Sequence, residues 1–266
     1  MGHGFSGTKD FGIPAYAGQY ASNGFAVLAF DYRNFGESEG EPRQVINIAQ
    51  QREDFHAAIQ AARSMELIDP TRIAIWGSSL GGGHVIQVAV TDQKIAAAIL
   101  QVPFIDAFNG AGNEKAPARV QFKLLWAALS DLLRGWLGLS PYYVPVVGAP
   151  GSFATMTEPE AMPVVNTLIA EGSKWQNAFA PRIAFSMPHY KEGTIEQLTI
   201  PILLCVADND TQASPEFAIK TVEKAPRGEI LRYPVGHFSL YVGEMRDRAI
   251  ADQIEFLKRH LMSNTA

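Results

Sequence analysis

Residues 77–81 read Gly-Ser-Ser-Leu-Gly, which sets Ser79 two residues from a glycine on either side. A serine hydroxyl is a weak nucleophile until a neighbouring base takes its proton and fixed donors hold the charge that develops on its target. A sharp strand-to-helix turn supplies part of this, because it projects the serine oxygen and points the next amide, that of Leu80, to the same side. The pattern itself arises by chance in about one chain in ten of this composition, so its setting decides. Ahead of it, Ile73-Ala74-Ile75-Trp76 reads as a short buried strand. After it comes a helix, with Gly77, Gly81 and Gly82 leaving room for close approach. The alternative is that the glycines serve helix packing alone and the serine is incidental.

A base and an acid to orient it must come from elsewhere in the chain. The histidines are His3, His56, His84, His189, His237 and His260. His56 and His260 fall within helical patterns and are expected to face solvent, and His84 is too near Ser79 in sequence to turn back on it. His237, in "RYPVGHFSLY", directly follows the last apolar run and is the expected base. The stretch "ILLCVADNDTQASP" offers two acids, Asp208 and Asp210, each leaving a strand for a loop. The one further along has room to curl back towards a histidine, which favours Asp210; Asp208 is held in reserve as a turn former or helix cap. Near the start, "MGHGFSG" forms a histidine-glycine turn whose next amide, on Phe5, is expected to join that of Leu80 as an oxyanion hole. His3 is read as a loop-shaping hydrogen bonder.

Holding Ser79, Asp210 and His237 together requires a scaffold that brings distant loops to one rim. Five apolar runs, at 25–30, 72–76, 95–102, 200–207 and 229–233, alternate with helical patterns near 12–22, 44–65, 80–91, 213–224 and 241–261. Such alternation predicts an α/β fold, a mostly parallel sheet with helices on both faces and chemistry at the carboxyl ends of the strands. With 266 residues, 47% of them hydrophobic, the chain suits one domain with its core in 1–103 and 197–266. Residues 104–196 are too many for a bare loop and are read as a helical cap insertion. In its first half Phe122, Leu125, Leu129, Leu132, Leu133 and Trp136 recur at helical spacing, with Lys123, Ser130, Asp131 and Arg134 mostly off that stripe. Trp126, Trp136 and Trp175 fall inside the segment and are expected to form an apolar substrate-binding surface, or else the segment's own core.

Composition narrows the partners. A net charge of −5, with Lys and Arg scattered, provides no basic field for nucleic acid. The single cysteine, Cys205, rules out an internal disulfide framework and sits in an apolar run as a small core residue, in keeping with a reducing, cytoplasmic setting. No apolar run reaches the roughly 18 residues of a membrane span. Nothing at metal-ligand spacing calls for zinc and no glycine-rich phosphate loop follows a strand, so no metal or cofactor is expected.

Taken together, "HGF" at 3–5, "FDYRNFGESEG" at 30–40, "WGSSLGG" at 76–82, "VADND" at 206–210 and "VGHF" at 235–238 stand in an order that resembles the α/β-hydrolase superfamily over the whole chain. Within it the chain is similar to the dienelactone-hydrolase and peptidase-like branch, which includes bacterial hydrolases and fungal polyketide transferases. The resemblance implies a Ser79, Asp210, His237 triad, an oxyanion hole from Phe5 and Leu80, and a cap after the sixth strand. Dienelactone hydrolases proper use cysteine where this chain has Ser79, which argues against their substrate. Family members carry two or more strands before the histidine-glycine turn, whereas here only Met1 and Gly2 precede it. The expectation is a chain that starts internally, with N-terminal strands missing, or one that relies on a compensating partner such as a second copy in a homodimer. The implied activity is cleavage of a small-molecule carboxylic ester with an apolar part. Acyl or polyketide transfer or thioester cleavage by the same triad is the alternative, and a non-catalytic binding protein on a truncated hydrolase fold is a rival of another class.

Overall fold

The protein is described by a computed structural model covering residues 1–112 and 117–262. Parts of the expected cap and of the expected C-terminal core, at 113–116 and 263–266, lie outside the described residues. Four strands, β1 (Ala74–Ser78), β2 (Ala97–Gln101), β3 (Ile202–Ala207) and β4 (Gly228–Tyr233), stand in that order and are parallel throughout. Parallel neighbours need a crossover, and helices provide it, so both faces of the sheet are covered.

Alternation along each strand divides the core into two layers. Ile75, Leu100, Leu204 and Val206 pack on one side with Phe55 and Ile59 of α2 (Ile48–Arg63), Val85 and Ile86 of α3 (Leu80–Thr91) and Val222. Trp76, Ile99, Leu203, Cys205 and Tyr233 pack on the other with Tyr16 and Tyr20 of α1 (Ile13–Ser22) and with Ile250 and Ile254 from the C-terminal helix. Cys205 is fully buried, which pushes its thiol up to about 12 and makes it an inert core residue. Between the layers, buried Gln253 accepts from Trp76 Nε1 at 2.9 Å and from the Tyr20 hydroxyl, and donates to Gln101 at 3.0 Å. A buried amide so engaged ties both strands to two helices.

Helix limits follow local chemistry. Asn47 caps α2 by accepting from the amides of Ala49 and Gln50. The expected helix from 44 therefore starts four residues later.

The first expected strand differs from its reading. Residues 25–30 form no continuous strand; Phe30 only bridges Gly2, which in turn bridges Gly77 of β1, all in parallel. A strand needs a partner along its length, and Met1–Gly2 gives the 25–30 run only two residues to pair with.

Between β2 and β3 the chain forms α4 (Ala118–Trp136), α5 (Ala161–Leu168) and two short 3-10 turns, Pro181–Phe185 and Ile195–Gln197, and adds no strand to the four-stranded sheet. The face of α4 is a correction. Its apolar stripe, with Phe122, Leu125, Leu133 and Trp136, is exposed, while Val120, Ala127, Ala128 and Asp131 turn inward. Asp131, fully buried, holds Arg182 through Nε at 2.7 Å and Nη2 at 2.8 Å and also accepts the amides of Tyr142 and Arg182. An ion pair and two amides at one carboxylate outweighed the hydrophobic periodicity in choosing the inner face. The remaining helices are α6 (Pro215–Val222), capped by Ser214, and α7 (Gly243–Leu257), which ends in a π-turn over Lys258–Met262. No helix among the described residues is long and apolar enough to cross a membrane.

Candidate active site

Ser79 joins β1 to α3 with φ 54° and ψ −121°, a backbone state that an L-residue adopts only under constraint, at a cost of about 1–3 kcal/mol. The constraint is visible. Its N–H donates to the Gln101 carbonyl at 2.9 Å, and its own carbonyl accepts from the amides of Gly83 at 3.1 Å and Phe104 at 2.8 Å. The turn closes because Gly77 and Gly81 touch: a Cβ on Gly77 would stand 2.3 Å from the Gly81 carbonyl oxygen. The histidine-glycine turn then packs on top, since a Cβ on Gly4 would meet Ser79 Cβ at 2.9 Å. This contact sets Gly4, the neighbour of Phe5, against the turn that Leu80 follows. Neither the Phe5 amide nor that of Leu80 donates to another group among the described residues; Leu80, first in its helix, has no intrahelical acceptor.

Asp210 and His237 arrive on the loops beyond β3 and β4. Asp210 Oδ1 accepts the amides of Gln212 and Ala213, both at 2.8 Å, which fixes the carboxylate and leaves Oδ2 at 2.6 Å from His237 Nδ1. His237 opens a 3-10 turn, His237–Tyr241, directly beyond β4. Burial disfavours the imidazolium, but the charge and hydrogen bond of Asp210, with Glu158 and Glu160 behind, outweigh it and raise the His237 pKa above its ordinary value. Ser79 and His237 line one small cavity, of about 50 Å³, with Phe5, Phe11, Met156 and Phe238 among its walls. Ser79 Oγ makes no hydrogen bond among the described residues, a looseness usual before substrate tightens a site. The structure thus places Asp210, and not Asp208, against His237; Asp208 pairs with Arg232 at 2.8 Å on the surface side of β4.

Other expected positions sort by packing. His3 is buried between the Gly4 carbonyl and the Tyr32 amide, and burial first of all lowers its pKa to about 4, so it is a neutral loop former. His84 is buried against Gln51, His56 meets Thr91, His189 meets Asp106, and His260 meets Glu229. Trp175 lines the cavity, stacks on Phe11 at 5.6 Å and donates to the Ser6 carbonyl at 2.9 Å. Trp126 and Trp136 do not line it. They are 65% and 86% exposed on the outer face of α4, because Asp131 dictates which side of that helix turns in.

Three features escaped the sequence reading. Glu158 and Glu160 act on His237 by charge from the start of α5, and Glu160 also accepts from Ser239 at 3.2 Å. Tyr241 bonds Ser78 at 2.5 Å beneath the turn. Asp106, fully buried, gathers the amides of Phe108, Asn109 and Tyr190 and so pins both ends of the segment between β2 and β3. Only Asp106 carried a signal, as an acid leaving a strand in the manner of Asp210.

A serine on a strained strand-to-helix turn, at the carboxyl rim of a parallel sheet, defines a hydrolase scaffold, and the chain belongs to the α/β hydrolase fold family, whose model matches residues 1–136. It is 40% identical over 260 residues to the quorum-quenching protein AidA of Acinetobacter baumannii (strain MDR-ZJ06), covering 97% of this chain and 85% of that one. It is 28% identical over 267 residues to the polyketide transferase grgF of Penicillium sp, covering 98% and 87%. The crystal structure of the α/β hydrolase GrgF from Penicillium sp. sh18 superposes with a TM-score of 0.79 at 26% identity, over 98% of this chain and 89% of that one.

Proposed function

We propose that the protein is a serine hydrolase that cleaves a small carboxylic ester with an apolar part through an acyl-enzyme. The observation that carries this reading is the buried 2.6 Å contact between Asp210 and His237, with His237 lining the same cavity as Ser79 on its strained turn. With Asp210 on Nδ1, His237 keeps Nε2 for the serine proton. Ser79 Oγ attacks the carbonyl carbon as its proton passes to Nε2, and the amides of Phe5 and Leu80 hold the oxyanion. Collapse expels the alcohol, which takes that proton. Water then repeats the sequence and releases the acid and free Ser79.

The apolar walls from Phe11, Met156, Trp175 and Phe238 favour an apolar acyl or alcohol group. A cavity of about 50 Å³ is near the size of one or two waters, so residues 146–175 must part to admit a substrate. In this reading the segment between β2 and β3 is a lid over a single hydrolase domain. The test is labelling by a fluorophosphonate together with turnover of a panel of short and medium nitrophenyl esters. Equal labelling of the wild type and Ser79→Ala would remove the nucleophile assignment.

Acyl transfer is a second reading, favoured by the apolar walls of the cavity and by the similarity to a polyketide transferase. There an alcohol or thiol, in place of water, takes the acyl group from Ser79. Competing water with a second nucleophile and measuring the ester-to-acid product ratio separates the two.

A further inference from the structure

One face of α4 has no covering in the fold. Phe122, Leu125, Trp126, Leu129, Leu133 and Trp136 recur at helical spacing and stand exposed in a strip about 21 Å long. Single exposed apolar side chains are ordinary, but a contiguous strip of this length marks a surface that meets something. The helix cannot bury it by rolling over. Its opposite side is held by Asp131, which would have to give up two amides and the Arg182 guanidinium.

Charge points to what the strip meets. Arg119, Lys123 and Arg134 all fall on one flank of it, at roughly 60–120° around the helix from Phe122. None of the three enters an ion pair among the described residues; Arg134 donates to the Ser140 carbonyl at 2.6 Å. Asp131 is the sole carboxylate from 118 to 143, and it is buried and spent on Arg182. In a chain of net charge −5, the outer side of α4 is therefore positive. A second copy of this helix suits it poorly. Paired antiparallel about Leu129, Lys123 of one copy falls beside Arg134 of the other on the same flank, and in neither direction does the second helix bring an acid.

We propose that α4 docks the protein on the surface of a bilayer rich in anionic lipid, lying in the interface with its strip towards the acyl chains and Arg119, Lys123 and Arg134 among the headgroup phosphates. Trp126 and Trp136 suit that depth, because an indole has an apolar body and an N–H for the wet side. The helix lies on the membrane and does not cross it, since its inner side stays packed on protein.

The test is co-flotation of the full chain with vesicles of phosphatidylglycerol and phosphatidylcholine in equal parts, against vesicles of phosphatidylcholine alone. The chain should bind the mixed vesicles on the order of 100-fold more tightly, at about fivefold per cation. Salt at about 1 M, which confines charge effects to about 3 Å, should erase most of that difference. Arg119→Gln with Lys123→Gln should weaken binding to the mixed vesicles about 25-fold. Trp126→Ser with Trp136→Ser should abolish it, and both double variants should keep the wild-type far-ultraviolet circular dichroism, since all four side chains are exposed. Flotation needs no turnover and so does not depend on the hydrolase reading. No flotation, equal flotation with both vesicles, or flotation undiminished by either double substitution would overturn the proposal. So would a dimer in analytical ultracentrifugation that the tryptophan changes dissociate, which would assign the strip to a second copy.

Discussion

The two ends of β1 are built in opposite ways. At its carboxyl end, glycines press the histidine-glycine turn, the serine turn and the Gln101 carbonyl together until about 50 Å³ remains. At its amino end, a larger cavity beside Ile73 and Ala74 leaves about 420 Å³. Close packing confines Ser79 to a high-energy backbone state, whereas the larger cavity is lined mostly by apolar side chains, with the Arg72–Asp69 pair among them. Cavity size and the chemistry of the lining therefore part company in this molecule: the smaller space is lined by the serine and the histidine, and the larger one mostly by apolar side chains.

That contrast can be broken from either end. The largest effect is expected from Ser79→Ala, which should reduce ester turnover on the order of 10⁴- to 10⁶-fold in steady-state assays while leaving Tm near or above the wild-type value, since it removes only an oxygen. A large fall in Tm would mean that the rim is structural. Asp210→Asn keeps the shape but no longer holds the required tautomer of His237, and kcat should drop about 10⁴-fold. Loss of less than tenfold would point to Asp208 or to another acid.

The pH profile sharpens the comparison. The His237 pKa is raised in the folded protein, so the base form appears only above that value, and kcat/KM should climb along an acid limb placed above about 6.5. The stability contribution of the same group has the opposite sign. It is fully present below the unfolded pKa and is lost as pH rises through the folded one. An acid limb below pH 6 would contradict the arrangement of Asp210, Glu158 and Glu160 around His237. The smallest effect belongs to the larger cavity at the amino end of β1: Ala58→Leu adds methylenes to its wall and should stabilise by about 1 kcal/mol, a few degrees in Tm, with turnover unchanged.

Much of this was legible beforehand, and the failures have physical causes. β2 and β3 were readable because each is an apolar run buried on both faces, whereas β4, an edge strand buried only at Tyr233, showed through the shorter run Ile230-Leu231, and α3 through its glycines. Ser79, Asp210 and His237 could be singled out because each lies in the turn or loop that leaves a strand. α4 misled because its hydrophobic stripe is the face left outside, and only a partner 51 residues away, Arg182, made Asp131 the inner side. The run 25–30 misled in a different way: its composition suits a strand, but strands exist only in pairs.

By itself the sequence determined the alternation of strands and helices, the serine turn and the loops that carry Ser79, Asp210 and His237 in that order, since these depend on neighbours in the chain. Tertiary structure alone set the Asp210 carboxylate, already favoured by its place on the loop, against His237, put Trp175 but neither Trp126 nor Trp136 at the cavity, and brought the charges of Glu158 and Glu160 to bear on His237. Those outcomes turn on distances between segments far apart in sequence, where burial and charge act through space and leave no periodic trace along the chain.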